Sequence, residues 1–365
     1  MRRALLLIFA LLLPNLFFIP HANAIQEIVI TEPTHRLSDG VFIDDQLAQK
    51  LSPNGELGLL VFSSVQGVRS WQVDPATISE IVAMSNGYGI SDGSTPIGQQ
   101  IAKEWLAQFI RVSKNEKVSA LTYGNPSAYW VDQIINQQIT YIDANGKILL
   151  ETVLGKATNQ SLMKNRKRQG ISKQNINLLN YAQRQIDLLG TLVDQKELLS
   201  YQLRLAQILN PDIEKSSFQF LIKDYDKSIT ELRNKLKVTK TRFTVTSTKE
   251  ELPITLVNDF DQSVDLKLSV RALNSKVVVA STQQIRLEAK SKQQVLLPIE
   301  VLASGESSLL AQLTNLENKP VGYPVNINLK LSVISPVATW ITSGAAVLLF
   351  VAAIIQSIRR VRRRK

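Results

Sequence analysis

The sequence predicts an α+β multidomain protein: a small parallel β/α domain, a helical middle segment, a β-sandwich and one C-terminal transmembrane helix. Three patterns carry this reading. Short apolar runs alternate with helical ones up to about residue 155, the hydrophobic period switches to two after Thr241, and a long uncharged segment lies near the end of the chain.

The uncharged segment is the simplest to read. From Val337 to Ile358 there are 22 residues without a charge, followed by five arginines and a lysine. At about 1.5 Å per residue such a helix spans ~33 Å, enough for a hydrocarbon core of ~30 Å. Trp340 at one end and Arg359 and Arg360 at the other are the expected interface residues, and the basic tail 359–365 is expected on the cytoplasmic side.

The opposite end reads as a signal peptide over residues 1–24. Arg2 and Arg3 precede an apolar stretch from Ala4 to Phe18, and Ala22-Asn23-Ala24 has the small-x-small form of a cleavage site. The rival reading is an uncleaved span, against which Pro14 and Pro20 interrupt the apolar run. The expected localisation is therefore the cell membrane, single-pass, with the N-terminal bulk extracytoplasmic.

Composition narrows the function classes. The formal charge is +11, but the leader carries two of these charges and the tail six, which leaves +3 for the rest. No nucleic-acid partner is expected, and the tail suits anionic lipid better than a phosphate backbone. The basic run from Lys164 to Arg168 reads as a solvated loop, with anionic headgroups or teichoic-type polymers as the competing contact. Cysteine is absent, so the exported part must be held by core burial rather than disulfides.

Between residues 25 and 155, strands are expected over Glu27–Thr31, Arg69–Val73 and Lys117–Thr122, with helices at Leu47–Leu51, Glu56–Val65, after Asp74-Pro75, and over Gly98–Ser113. Asp74 before Pro75 has the N-cap and N1 chemistry of a helix start. Ile101, Trp105 and Phe109 are spaced by four on one helical face. Strand, helix, strand, helix in this order implies parallel pairing in a small open sheet. Tyr141 to Leu150 reads as a hairpin about Asn145-Gly146. Residues 156–174 read as a polar linker and 175–238 as helical, with a break near Gly190.

From 241 to 334, seven or eight short alternating runs recur about every ten residues. That spacing indicates an immunoglobulin-like sandwich, without the Cys pair and Trp of antibody domains. Its last strand runs through Ser335-Pro336 into the apolar segment, so the sandwich is expected to stand on the bilayer.

Two groups of motifs are familiar in combination. One is Val41-Phe42-Ile43-Asp44-Asp45, Trp71 to Pro75, Met84 to Tyr88, Trp105-Leu106 and Leu121 to Pro126. The other runs from Thr244 to Asp259, with Gln262, Val264 and the arginine-rich tail. Together they resemble an actinobacterial family of exported single-span membrane proteins of undefined function. The resemblance implies a β/α-barrel-like ectodomain, an Ig-like stalk and a C-terminal helix, shortened here between about Gln138 and Ser172. Members often lie beside genes for the MurJ/MviN-type lipid II flippase. That implies a link to wall precursor transport, with an envelope membrane protein or wall polymer as partner beside the lipid bilayer. Where the family tends to an acid after the third strand, this chain has Gly124-Asn125.

Chemistry is sparse. Past the leader there is one histidine, His35, too few for most zinc constellations, and no Gly-x-Ser-x-Gly elbow occurs. No metal site and no cofactor are expected. Asp74 ends a strand, the ligand-facing edge of a parallel fold, and Asp44, Asp45 and Glu104 are candidate partners for it. Asp74, Asn125 and Asp44 are thus the candidate ligand face. The ordinary role of Asp74 is an N-cap, and no catalytic residue is expected. The leading expectation is a non-catalytic envelope protein; the alternative is a carbohydrate-active hydrolase using Asp74 and a second carboxylate.

Overall fold

The computed structural model describes residues 26–362 except 65–66, 163–164, 166, 169, 280–281 and 333–335. The expected signal peptide, the last three residues of the basic tail, and Lys164 and Arg166 of the basic run lie outside the described residues. The chain divides into two compact units, residues 1–170 with 203–221, and residues 171–202 with 222–365.

The first unit follows the order β1 (Gln26–Ile30), α1 (Gln46–Leu51), α2 (Glu56–Phe62), β2 (Arg69–Val73), α3 (Pro75–Ser85), α4 (Gln99–Ser113), β3 (Lys117–Ala120), α5 (Ala128–Trp130), α6 (Ile139–Leu154) and β4 (Asn159–Gln160). The four strands form one parallel sheet in sequential order. Ile30 pairs with Val73 and Val73 with Ala120, so the strands stop at one common edge. Trp71 and Phe109 meet edge to face at 5.5 Å, and Trp105 stacks on Phe109 at 5.3 Å. All three are fully buried. The indole of Trp105 donates to the carbonyl of Leu57 at 2.9 Å, which satisfies its one polar atom inside the core.

Two differences from the sequence reading stand out. The segment expected to form a hairpin is the helix α6, and Ile142, Gly146 and Leu150 are buried along it at intervals of four. A Cβ on Gly146 would lie 3.3 Å from Tyr123 and 3.4 Å from Pro75, so the glycine serves close helix packing instead of a turn. Tertiary burial overrides the local Asn-Gly signal. The stretch read as a linker contributes β4, whose two residues pair with Ser119 and Ala120.

Residues 173–238 hold α7 (Lys173–Leu189), which begins inside the stretch read as a linker, then α8 (Gln195–Ile208), α9 (Lys215–Asn234) and the strand β5 (Leu236–Val238). Then come β6 (Arg242–Val245), β7 (Lys249–Asn258), β8 (Val264–Ala272), β9 (Val277–Val279), β10 (Thr282–Leu287), β11 (Ser291–Val301), β12 (Gly305–Thr314) and β13 (Pro320–Leu331). They build a five-stranded sheet, β10-β8-β12-β13-β6, and a four-stranded one, β5-β7-β11-β9. Burial alternates strictly along most of β11 and β8, the mark of sheets with one face turned into a core. The carboxamide of Asn258 is fully buried; it donates to the carbonyls of Gln262 at 2.8 Å and Glu288 at 2.9 Å and accepts from the Phe260 amide at 3.0 Å.

The last element, α10 (Pro336–Arg362), contains a 21-residue apolar stretch from Trp340 to Arg360 that the rest of the protein leaves uncovered. At about 1.5 Å per residue it is ~31 Å long, long and apolar enough to span a membrane. It is consistent with single-pass anchoring.

Candidate functional site

The common edge of a parallel sheet is where strand ends leave unpaired N–H groups and where ligands of such folds bind. Here the edge is formed by Thr31 and Glu32 after β1, Asp74 after β2, Leu121 to Asn125 after β3, and Ser161 after β4. Asp74 lies at its centre and is fully buried. One carboxylate oxygen accepts from the Ala76 amide at 2.9 Å and the Gly124 amide at 2.8 Å; the other accepts from the Thr77 hydroxyl at 3.3 Å. Asp74 is thus both the cap of α3 and a clamp on the β3–α5 loop. Burial pushes its carboxyl up to about 7, against the hydrogen bonds from Ala76, Gly124 and Thr77, with Glu80 adding in the same direction as burial.

A segment of the same unit closes over this edge. Gly124 has φ +78, and a Cβ there would lie 2.6 Å from the Cα of Gln207. Asn210 donates to the Gly124 carbonyl at 2.8 Å, and the Ser127 amide donates to Leu209 at 2.9 Å. Asn125 is half-buried with φ 44, and its carbonyl accepts from the Asn165 side chain at 3.0 Å. The position where an acid was sought after the third strand is therefore a close backbone crossing.

A second buried acid, Glu80, was not singled out from the sequence. It accepts from the Thr34 hydroxyl at 2.5 Å, the His35 amide at 3.0 Å and the Gln207 carboxamide at 3.0 Å. Arg204 reaches in from the covering segment and donates to Thr34 at 2.9 Å. Beyond it, the His35 ring bonds Asp44 at 3.0 Å and Glu32 at 3.2 Å, and Glu32 also accepts from Lys50 at 2.6 Å. Burial acts to lower the His35 pKa but is outweighed by those bonds and by the charges of Glu80 and Asp44, which raise it to about 9. His35 is a cation at neutral pH, and its hydrogen bond holds the Asp44 carboxyl below the usual carboxylate range.

The proposed partners of Asp74 do not assemble around it. Asp44 belongs to the His35 cluster. Asp45 accepts from the Tyr88 hydroxyl and from the Ile97 amide at 3.0 Å. Glu104 is exposed on α4 and accepts from Gln100 at 2.8 Å. What the edge holds is a hydrogen-bonded network of buried acids, amides and hydroxyls, in which the buried hydroxyls of Thr31 and Ser127 find no partner among the described residues. Proton transfer to a substrate requires an acid or base within hydrogen-bond reach of it, and neither Asp74 nor Glu80 faces solvent. Among the described residues no group of three or more His, Cys, Asp or Glu side chains could hold a metal ion. At the far end of the chain, Trp340 is 80% exposed, and Arg359 and Arg360 close the apolar stretch of α10.

Comparison with solved structures returns small, distant likenesses. A member of the MSP family from C. elegans, WR4, is 14% identical over 27% of this chain and 97% of its own, with a TM-score of 0.21. The E. coli chaperone DraB is 14% identical over 27% of this chain and 57% of its own, at 0.20. A FixG-related protein from Vibrio parahaemolyticus is 16% identical over 26% of this chain and 94% of its own, at 0.22. No curated protein matches the chain. A family model described as a family of unknown function, DUF6049, matches residues 146–364. The match takes in the second group of motifs, from Thr244 to Asp259, and leaves the first group outside it. It spans more than half of the sequence, and the chain belongs to the DUF6049 family.

Proposed function

We propose that the chain is a non-catalytic, membrane-anchored protein of the cell envelope, with its bulk outside the cytoplasm and α10 as its anchor. In this reading a leader ending at Ala24 exports it, the two-sheet region is an immunoglobulin-like stalk, and the ectodomain binds a partner protein or a wall polymer connected with wall precursor transport. The observation that carries the non-catalytic part is the burial of Asp74. The acid that ends β2 at the ligand-facing edge is fully buried, bonded to Ala76, Gly124 and Thr77, and covered by residues 203–221. The anchor and its basic end support the orientation through the preference of Lys and Arg for the cytoplasmic side.

Protease added to intact cells tests the compartment, and photocrosslinking in the same cells tests the partner. Both units should be shaved from whole cells, and one envelope protein or wall polymer should be captured at native abundance. A chain that resists shaving until the cells are lysed would refute the topology.

A further inference from the structure

The chain leaves the two-sheet unit at Leu331, which pairs with Gly305 of β12 and Val245 of β6. The same end therefore carries the loops 246–248, 273–276 and 302–304. Two leucines project from them: Leu302 is 61% exposed and Leu273 is 49% exposed. Their backbones are pinned, with the Leu302 amide donating to Lys276 at 2.8 Å and the Leu273 amide to Ser308 at 2.9 Å. Leu273 borders a cleft of about 450 Å³ whose lining includes Arg242, Asn274, Ser308, Asn328 and Lys330 and also the carboxylate Glu306. Arg242 and Lys330 are exposed and form no ion pair with the described residues, while Glu306 stands opposite Lys330 in the ladder.

Exposed leucines flanked by two exposed cations, against the single carboxylate of Glu306, have at the tip of a domain the composition of a surface that sits in a headgroup layer, apolar groups inward and cations on phosphate. Chain length places that layer within reach. Five Cα steps separate Leu331 from the start of α10, at most about 18 Å of extended backbone.

We propose that this rim rests on the bilayer leaflet it faces. Leu302 and Leu273 enter the headgroup region, and Arg242 and Lys330 hold the phosphate of an anionic phospholipid at the cleft. The inference rests on the membrane anchoring proposed above and adds a second contact to it. The tether selects a lipid phosphate over a soluble one, because α10 keeps the rim beside the membrane whatever is dissolved around it.

The chain has no cysteine, so a single Leu302→Cys substitution in the full-length protein accepts one environment-sensitive fluorophore. The protein is reconstituted in nanodiscs of phosphatidylcholine, with and without phosphatidylglycerol, each carrying a spin-labelled quencher lipid. A probe at Glu317→Cys, in the turn at the opposite end of β12 and β13, is the reference. The expected result is quenching severalfold stronger at 302 than at 317, strengthened by phosphatidylglycerol. Combining Arg242→Glu with Lys330→Glu should remove the phosphatidylglycerol effect with the thermal midpoint unchanged. Equal quenching at the two positions, in discs that retain the protein, overturns the rim contact. So does a signal that follows the number of chains per disc instead of the lipid, which would assign the leucines to a second copy. Failure of the chain to remain with the discs at all would instead refute the anchoring.

Discussion

Asp74, Glu80 and Arg204 are 0%, 4% and 7% exposed, and all three belong to the unit built on the parallel sheet. The two-sheet unit buries only amides and hydroxyls among its described polar side chains, with Asn258 as the most enclosed. The difference follows from topology. Parallel strands that end together bring several loop amides and a helix N-terminus to one place, and a carboxylate collects such donors better than any neutral group. Antiparallel strands pair most of their amides with each other, and only the turns at their ends need a side chain. Burying acidic groups is thus the local solution to a shared strand edge, and it requires no substrate to explain it.

The largest expected effect that would break this comparison is at Glu80. Glu80→Ala leaves the His35 amide and the Gln207 carboxamide without their acceptor, and the Thr34 hydroxyl with only the Arg36 carbonyl at 3.3 Å. At about 1–3 kcal/mol for each buried orphan, less what relaxation recovers, roughly 4 kcal/mol should be lost in chemical unfolding. Gly124→Ala comes next. It forces a side chain into the left-handed region and against the Gln207 backbone, for ~3 kcal/mol. Asn258→Ala is the counterpart in the other unit and should cost about 2 kcal/mol, because the Phe260 amide loses its acceptor and three carbonyls lose a donor. If the Asn258 variant proved the most damaging of the three, the contrast between the units would fail.

A smaller effect sharpens the contrast through pH. The folded chain keeps the Asp74 proton up to about 7, while the unfolded chain releases it near 3.8, so stability falls as pH rises between these values. His35, facing Asp44, Glu32 and Glu80, holds its proton to about 9 instead of 6.5. Its contribution is complete below 6.5 and is lost as pH rises through 9. Both groups tilt the first unit the same way. Thermal unfolding followed across this range should show Asp74→Asn differing from the parent by about 1 kcal/mol or less at pH 5, since asparagine caps almost as well. The component of the slope below pH 7 should be gone in that variant. An unchanged slope would mean that Asp74 is ionised throughout.

Much of this was legible from residues alone. The strands β1 to β3, the Asp74 cap and the Trp105–Phe109 face follow from local spacing, and α10 follows from 22 uncharged residues. The helix α6 was hidden because Asn145-Gly146 is a strong turn signal, and its burial against Tyr123 and Pro75 is decided far away in sequence. Glu80 did leave a trace, as the one charged residue in an otherwise uncharged α3. Arg204 left none, since its contact with Thr34 spans 170 residues and no periodicity records it. Closure of the sheet edge was therefore invisible in the sequence, and it is the feature on which the functional reading turns.

Hydrogen exchange of the full-length protein, read by mass spectrometry on peptides covering 121–127 and 203–211, addresses that closure most directly. The amides of Gly124 and Ser127 donate to Asp74 and Leu209, and both should exchange at least a thousandfold more slowly than an open loop, on the order of the global unfolding limit. Exchange of these two amides within seconds would show an edge open to solvent and to ligands, and would contradict the non-catalytic account.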